Sequence, residues 1–352
     1  MSTRTPVARR SKSLSAQFGL TERLFVSASE RALAGRIEEG LEEVEQGLLQ
    51  RVSFDDSFAD VTSRYLLAAG GKRVRPLLTL LTAQLGEGIT PQVLLAAEAV
   101  EITHLASLYH DDVMDEAEQR RGVPSAQTVW GNSVAILTGD LLFARASKLI
   151  ASIDGSSAIS QTETFERLVL GQLHETIGPQ PGQDPVEHYL RVLSDKTGAL
   201  IAAAAEWGAT FSHAPEHLRR PLALFGERIG VAFQLIDDVI DLAPQEAETG
   251  KTAGTDLRAG VPTLPLLYLR RRALTDPADE ALLLRIDSGV EGDDGAFEAA
   301  VADLRAHDVT AETTREAHRW AADAVGALDP LPEGTVKRAL IRFADLLVDR
   351  SR

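Results

Sequence analysis

Apolar residues recur along this chain at spacings of three and four, the period of an amphipathic helix, and no convincing run of alternating apolar and polar residues interrupts them. The pattern predicts an all-α fold, with helices over about 26–51, 56–69, 73–86, 91–114, 125–151, 158–177, 185–210, 216–242 and 262–275 and further helices filling 277–350. Gly70-Gly71, Gly86-Glu87-Gly88, residues 178–185 and residues 250–262 punctuate these helices as turns or loops. Residues 289–295, with Glu291, Asp293 and Asp294 inside them, predict an exposed acidic loop.

Two clusters break the apolar pattern inside predicted helices: Asp111-Asp112-Val113-Met114-Asp115 and Asp237-Asp238-Val239-Ile240-Asp241. Residues four apart share a helix face, so Asp111 converges with Asp115 and Asp237 with Asp241. Both clusters fall near helix C-termini, where the dipole gives carboxylates no help. One such cluster is most simply a solvated acidic face. Two copies flanked by Leu, Ile, Val and Phe point instead to hard divalent cations, since Mg²⁺ takes one or two carboxylates and completes its shell with phosphate oxygens and water.

Composition narrows the classes. The 352 residues are 44% hydrophobic, ample for a core, and the length suits two domains or one large helical domain. A formal net charge of −16 argues against nonspecific nucleic-acid binding. The absence of cysteine excludes disulfides, thiol catalysis and thiolate metal sites, and fits a cytoplasmic location. No apolar run approaches the roughly 20 residues needed to span a bilayer, so at most a peripheral membrane contact is expected. Residues 1–22 carry Arg4, Arg9, Arg10 and Lys12 among Ser and Thr, with no apolar segment after them, and read as a disordered basic tail.

Positive charge that could hold a diphosphate occurs at Gly71-Lys72-Arg73-Val74-Arg75-Pro76, Arg120-Arg121-Gly122, Asp195-Lys196-Thr197-Gly198 and Gly250-Lys251-Thr252. Any one of these alone is most simply a solvated loop charge. Glycine beside lysine does permit close backbone approach to phosphate, and arginine gives bidentate recognition.

Taken in order, Gly71-Lys72-Arg73-Val74-Arg75-Pro76, His104 ahead of Leu108-Tyr109-His110-Asp111-Asp112, Arg120-Arg121-Gly122, Lys196-Thr197, and Phe233-Gln234-Leu235-Ile236-Asp237-Asp238 followed by Gly254-Thr255-Asp256-Leu257 resemble the trans-isoprenyl diphosphate synthases, the polyprenyl synthetase family. The resemblance runs from about residue 25 to the end and implies a single synthetase domain over 23–352. It implies an isoprenoid synthase helical bundle around a deep central cavity, normally a homodimer, that condenses isopentenyl diphosphate with an allylic diphosphate. Carried over by position, Asp111 and Asp115 would bind two Mg²⁺ ions and Asp237, with Asp238 or Asp241, a third. Arg120, Lys196 and Lys251 would grip the allylic diphosphate. Lys72, Arg75, His104 and Arg121 match the isopentenyl diphosphate pocket, although His104 could instead be a satisfied core group. Thr197 and Gln234 match polar groups lining the space where the carbocation develops. One departure is Val261 after Gly260, where many relatives have lysine.

In this family bulky residues just before the first aspartate motif stop elongation. Here Ala106 and Ser107 stand five and four residues before Asp111, and neither blocks a growing chain. The segment resembles the long-chain synthases that supply quinone side chains. Tyr109 is expected to face a neighbouring helix, and Phe143 is the alternative floor. A short-chain synthase and a noncatalytic modulatory subunit are the competing readings.

Overall fold

The computed structural model describes residue 24 and residues 30–154, 157–243, 253–290, 292 and 294–349. In chain order the helices are α1 (Arg31–Arg51), α2 (Ser57–Ala68), α3 (Val74–Ala83), α4 (Pro91–Met114), α5 (Ala126–Trp130), α6 (Asn132–Ile153), α7 (Ser157–Ile177), α8 (Pro185–Leu193), α9 (Ala199–Phe211), α10 (Arg219–Asp241), α11 (Thr255–Arg258), α12 (Leu264–Ala273), α13 (Pro277–Val290), α14 (Asp294–Ala306), α15 (Asp308–Ala327) and α16 (Thr335–Val348). The only strands among the described residues form a hairpin, β1 (Gln119–Arg120) against β2 (Val123–Pro124). Its two loop residues, Arg121 (φ 55°) and Gly122 (φ 75°), both have positive φ, the geometry that reverses a tight hairpin. Two-residue strands are too short to show the alternation that identifies a strand in sequence.

Polar caps set several helix starts. The Asp56 carboxylate accepts the N–H groups of Phe58 and Ala59 at 3.0 and 2.9 Å to open α2, and Asp184 accepts those of Val186 and Glu187 at 2.8 and 3.1 Å to open α8. Thr90 caps α4 ahead of Pro91. Each cap contributes about 1 kcal/mol. The helix expected over 125–151 is two, broken at Gly131 (φ 85°), and that over 185–210 is interrupted by a π-helical turn at Ser194–Gly198. Gly289 is buried in α13 against Phe297, so it belongs to a packed helix pair and not to an exposed acidic loop.

Contacts divide the chain into two compact units. The first comprises Met1–Glu163, Ala203–Leu222 and Leu331–Leu340. Its central element is α4, buried on several sides by Val93, Ala97, Val100, Ile102 and Leu105, as befits a helix that is apolar nearly all round. It packs on α1 and α3 and most extensively on α6. Close approach to α6 depends on Gly139, where a Cβ would lie 2.3 Å from His110 Nε2 and 3.2 Å from the Ala106 carbonyl oxygen. The second unit comprises Thr164–Ala202, Ala223–Pro330 and Ile341–Arg352, with α12 packed on α13 and α15, and α13 on α14. No helix among the described residues is long and apolar enough to cross a membrane.

Candidate active site

The first aspartate motif closes α4. Asp115 is its C-cap, donating its N–H to the Asp111 carbonyl oxygen at 2.8 Å. Asp111 is half-buried and Asp115 exposed, while Asp112 points inward and is fully buried. Arg120 Nε donates to Asp112 Oδ1 at 2.6 Å, and Asp112 Oδ2 has no hydrogen-bond partner among the described residues. Burial pushes the Asp112 carboxyl up, against the pull of Arg120. Arg120, expected on the allylic diphosphate, is thus aimed by Asp112, and its side chain remains 31% exposed. Among the described residues no three His, Asp or Glu side chains converge on a cation position. An accessible pair one turn apart, Asp111 and Asp115, is the donor set that suits Mg²⁺ completing its shell with water and phosphate.

Beside that helix lies a cationic cluster. Arg73, left-handed at φ 50° and 4% exposed, forks onto Glu45 (Nε to Oε2 2.7 Å, Nη2 to Oε1 3.0 Å) and reaches Glu101 Oε1 with Nη1 at 3.0 Å. Arg121 Nη1 donates to the Leu66 carbonyl at 2.9 Å, and Arg75 Nε is buried with no hydrogen-bond partner among the described residues. Burial pushes both guanidinium groups, Arg75 and Arg121, below their ordinary range, with Glu101 opposing it. Burial, then Arg75, Arg121, Arg73 and Arg120, hold His104 well below the usual imidazole range. His104 is therefore neutral at pH 7, and the arginines around it are undercompensated: Arg73, Arg75 and Arg121 share Glu45 and Glu101. Three of the four residues expected to hold isopentenyl diphosphate are brought together here, and the fourth, Lys72, is exposed on the loop that leads into Arg73.

In the second unit, Lys196 and Thr197 sit on the π-helical turn, where Lys196 Nζ is paired with Glu175 and Thr197 is half-buried. Gln234 and Asp237 are half-buried on α10. Asp238 faces inward at 2% exposure, accepting the Tyr189 hydroxyl at 2.7 Å and the Leu264 N–H at 3.1 Å, and burial pushes its carboxyl up to about 8. It is an internal anchor, which leaves Asp237 and Asp241 as the motif's outer carboxylates. Asp241 accepts the Thr255 hydroxyl and, at 3.1 Å, the Asp256 N–H, while its carbonyl takes the Gly254 N–H at 2.7 Å, so it also fastens residues 254–256 to the end of α10. Lys251 and the 1–22 tail lie outside the described residues. Val261 is half-buried and donates its N–H to the Asp256 carbonyl at 2.9 Å.

Ala106 has no accessible surface, whereas Ser107 is half-buried and donates its hydroxyl to the His104 carbonyl at 2.9 Å. Ala106 shares a face with His110, one turn on, which packs its ring 5.4 Å from Phe143 and contacts the Ile136 carbonyl at 3.0 Å. Ser107 shares its face with Asp111. Of the two expected chain-length positions, Ala106 is thus closed off against α6 and Ser107 keeps accessible surface. Tyr109 faces α2 as expected, its hydroxyl donating to the Thr62 carbonyl and accepting the Leu66 N–H at 3.3 Å.

A profile described as polyprenyl synthetase matches residues 58–304. The chain belongs to the polyprenyl synthetase family. It is 40% identical over 326 residues to the nonaprenyl diphosphate synthase of Mycobacterium tuberculosis, covering 92% of this chain and 96% of that protein. A decaprenyl diphosphate synthase from Rhodobacter capsulatus superimposes with a TM-score of 0.81 at 34% identity, covering 94% of this chain and 99% of that one. The geranylgeranyl pyrophosphate synthase from Corynebacterium glutamicum, described as complexed with calcium and isoprenyl diphosphate, gives 0.79 at 40% identity over 92% and 99%. As a polyprenyl synthetase the chain is a prenyl-transferring enzyme with the helical fold of its relatives. Sequence reasoning overlooked three residues that aim the others in this polyprenyl synthetase: Asp112 behind Arg120, and Glu45 and Glu101 behind Arg73. The available signal was Glu101, a charge within an apolar helical stretch, which in a buried helix demands a cationic partner.

Proposed function

We propose that the protein condenses isopentenyl diphosphate with an allylic diphosphate to give a long-chain all-trans polyprenyl diphosphate, of the kind used for quinone side chains, in the cytoplasm. The observation that carries this reading is the cluster of Arg75 on α3, Arg121 in the β1–β2 loop and His104 on α4, the last on the same helix as Asp111 and Asp115, where burial and the arginines hold the imidazole below its ordinary range. A cation-rich pocket suits the diphosphate that must be held, and a neutral imidazole can donate or accept there without adding charge. Lys72, Arg75, His104 and Arg121 bind isopentenyl diphosphate, and Arg120, Lys196 and Lys251 bind the allylic diphosphate. Asp111 and Asp115, and Asp237 with Asp241, would hold about three Mg²⁺ ions. Bound Mg²⁺ supplies positive charge that stabilises the departing diphosphate. Thr197 and Gln234 orient their polar groups toward the allylic carbon as it becomes cationic, and the apolar residues that border the polar motifs exclude the water that would quench it. Residues 23–352 act as one synthetase domain, and the enzyme is a homodimer.

Relatives named nonaprenyl, octaprenyl and decaprenyl diphosphate synthase support the long product. Small, accessible Ser107 on the face of Asp111 supports it independently. The deciding experiment supplies purified protein with Mg²⁺, labelled isopentenyl diphosphate and farnesyl diphosphate, and sizes the products. Products longer than geranylgeranyl diphosphate are expected. Termination at geranylgeranyl diphosphate, or elongation of dimethylallyl or geranyl diphosphate that stops at farnesyl diphosphate, would assign the short-chain reading, and no elongation of any of these primers the noncatalytic one.

A further inference from the structure

The π-helical turn that carries Lys196 and Thr197 is closed by a bond from the Ala199 N–H to the Ser194 carbonyl, five residues back. Such turns interrupt the ordinary ladder and persist where surrounding groups hold them. Helix α7 supplies those groups from one face, since Arg167, Gly171 and Glu175 follow one another a turn apart. Arg167 Nε donates to Asp195 Oδ1 at 3.0 Å and Nη2 to Ser194 Oγ at 3.3 Å, gripping the turn just ahead of Lys196. Its Nη1 donates to Glu227 Oε2 at 2.9 Å, on α10, the helix of Gln234 and Asp237. At Gly171 a Cβ would lie 2.6 Å from the Lys196 backbone nitrogen and 3.0 Å from Asp195 Cβ, so the turn seats directly on α7. Glu175 then takes the Lys196 ammonium. We propose that Arg167 is a positioning residue for prenyl transfer: its three-way fork locks the Lys196-Thr197 turn in register with the Gln234-Asp237 helix. The role rests on the activity proposed above. It assigns Arg167 no contact with substrate, because those contacts belong to Lys196 and Thr197 on the turn that it grips and to Gln234 on the helix that it reaches.

The test compares wild type with full-length Arg167→Ala, Arg167→Lys and Gly171→Ala, measuring kcat, both KM values and melting temperature. Small displacements at a reacting centre cost about 10²-fold, so Arg167→Ala is expected to lose roughly that in kcat, with the KM for isopentenyl diphosphate unchanged. Lysine cannot reproduce a fork onto three acceptors, so Arg167→Lys recovers only part of the loss, whereas millimolar guanidinium added to Arg167→Ala raises kcat at least several-fold. Gly171→Ala pushes on the same backbone from one turn further along α7 and should show the same kcat-specific loss, which keeps the proposal testable if Arg167→Ala fails to fold. Arg167→Ala with kcat within twofold of wild type, or a loss that guanidinium does not relieve and that follows the folded fraction, would overturn the positioning role. A wild type that elongates no primer overturns the activity itself and the positioning role with it.

Discussion

Each acidic motif divides its labour at the level of single side chains. Asp111 and Asp115 stay accessible while Asp112 turns in to hold Arg120, and Asp237 stays accessible while Asp238 is bound by Tyr189 and the Leu264 N–H. Asp111→Ala or Asp237→Ala should therefore lower turnover by several orders of magnitude with the circular dichroism spectrum unchanged, because each removes a half-buried carboxylate assigned to a cation, and not one of the fully buried anchors. Near-normal turnover of either variant at saturating Mg²⁺ would sink the assignment. His104 gives a pH prediction. Its folded pKa is depressed by burial and by Arg75, Arg121, Arg73 and Arg120, with Glu101 the nearby carboxylate that opposes them at Arg75 and Arg121. Below the ordinary histidine value of about 6.5 the unfolded chain takes up a proton that the folded chain refuses, so stability falls as pH drops from there. His104→Gln should flatten that part of the urea-midpoint profile between pH 6.5 and 5. Inorganic diphosphate, by adding negative charge, should flatten it in wild type too, and a wild-type slope indifferent to both would show that His104 is not held neutral.

At the scale of the element, α4 presents two different surfaces a residue apart. Ala106 and His110 face α6 where Gly139 lets the helices close, and Ser107 shares the accessible face of Asp111. Periodicity identified this helix to the residue, 91–114, because Thr90-Pro91 is a readable start and the apolar pattern is strong. It could not separate the two faces at 106 and 107, since both residues are small and which of them meets a neighbour is decided by a glycine far along the chain. The same limit hid the break at Gly131 and the π-helical turn at Ser194–Gly198, both set by packing within otherwise regular helical patterns. The motif residues were legible because charge in an apolar helix is conspicuous, and their supporting partners were not, because pairing requires the fold. Ser107→Phe should thus shorten the product with the early condensations retained, and product sizing from a common primer reads it directly. Ala106→Phe forces a ring into a closed interface, so it should lower the melting temperature by an amount typical of overpacking, about 1–3 kcal/mol in stability, before it alters product length. A folded Ala106→Phe that shortens the product as much as Ser107→Phe would reverse the assignment of the two faces.

At the scale of the molecule, the described surface carries apolar rows on two helices. Helix α6 shows Ile136, Leu137 and Leu141 at 42%, 61% and 40% exposure, and α7 shows Val169, Leu173 and Ile177 at successive turns. Net charge and composition read from the sequence give no hint of this, because the same leucines satisfy an amphipathic pattern whether their partner is the chain itself or a second copy. Two-fold association is the commonest way to cover such rows, since one patch then serves both subunits. We expect a homodimer by light scattering at micromolar concentration. Replacing Leu137 and Leu141 together by aspartate should leave the α4–α6 contact intact, because both side chains point away from the core, yet place four carboxylates across a two-fold interface and drive the protein to monomer. Loss of turnover in that monomer, with its helical content preserved, would link the assembled state to the rigidity of the aspartate-bearing helix α4, on which α6 packs more extensively than any other element of the first unit. Wild type that scatters as a monomer and is fully active would instead leave these leucines as surface without a partner and the homodimer reading wrong.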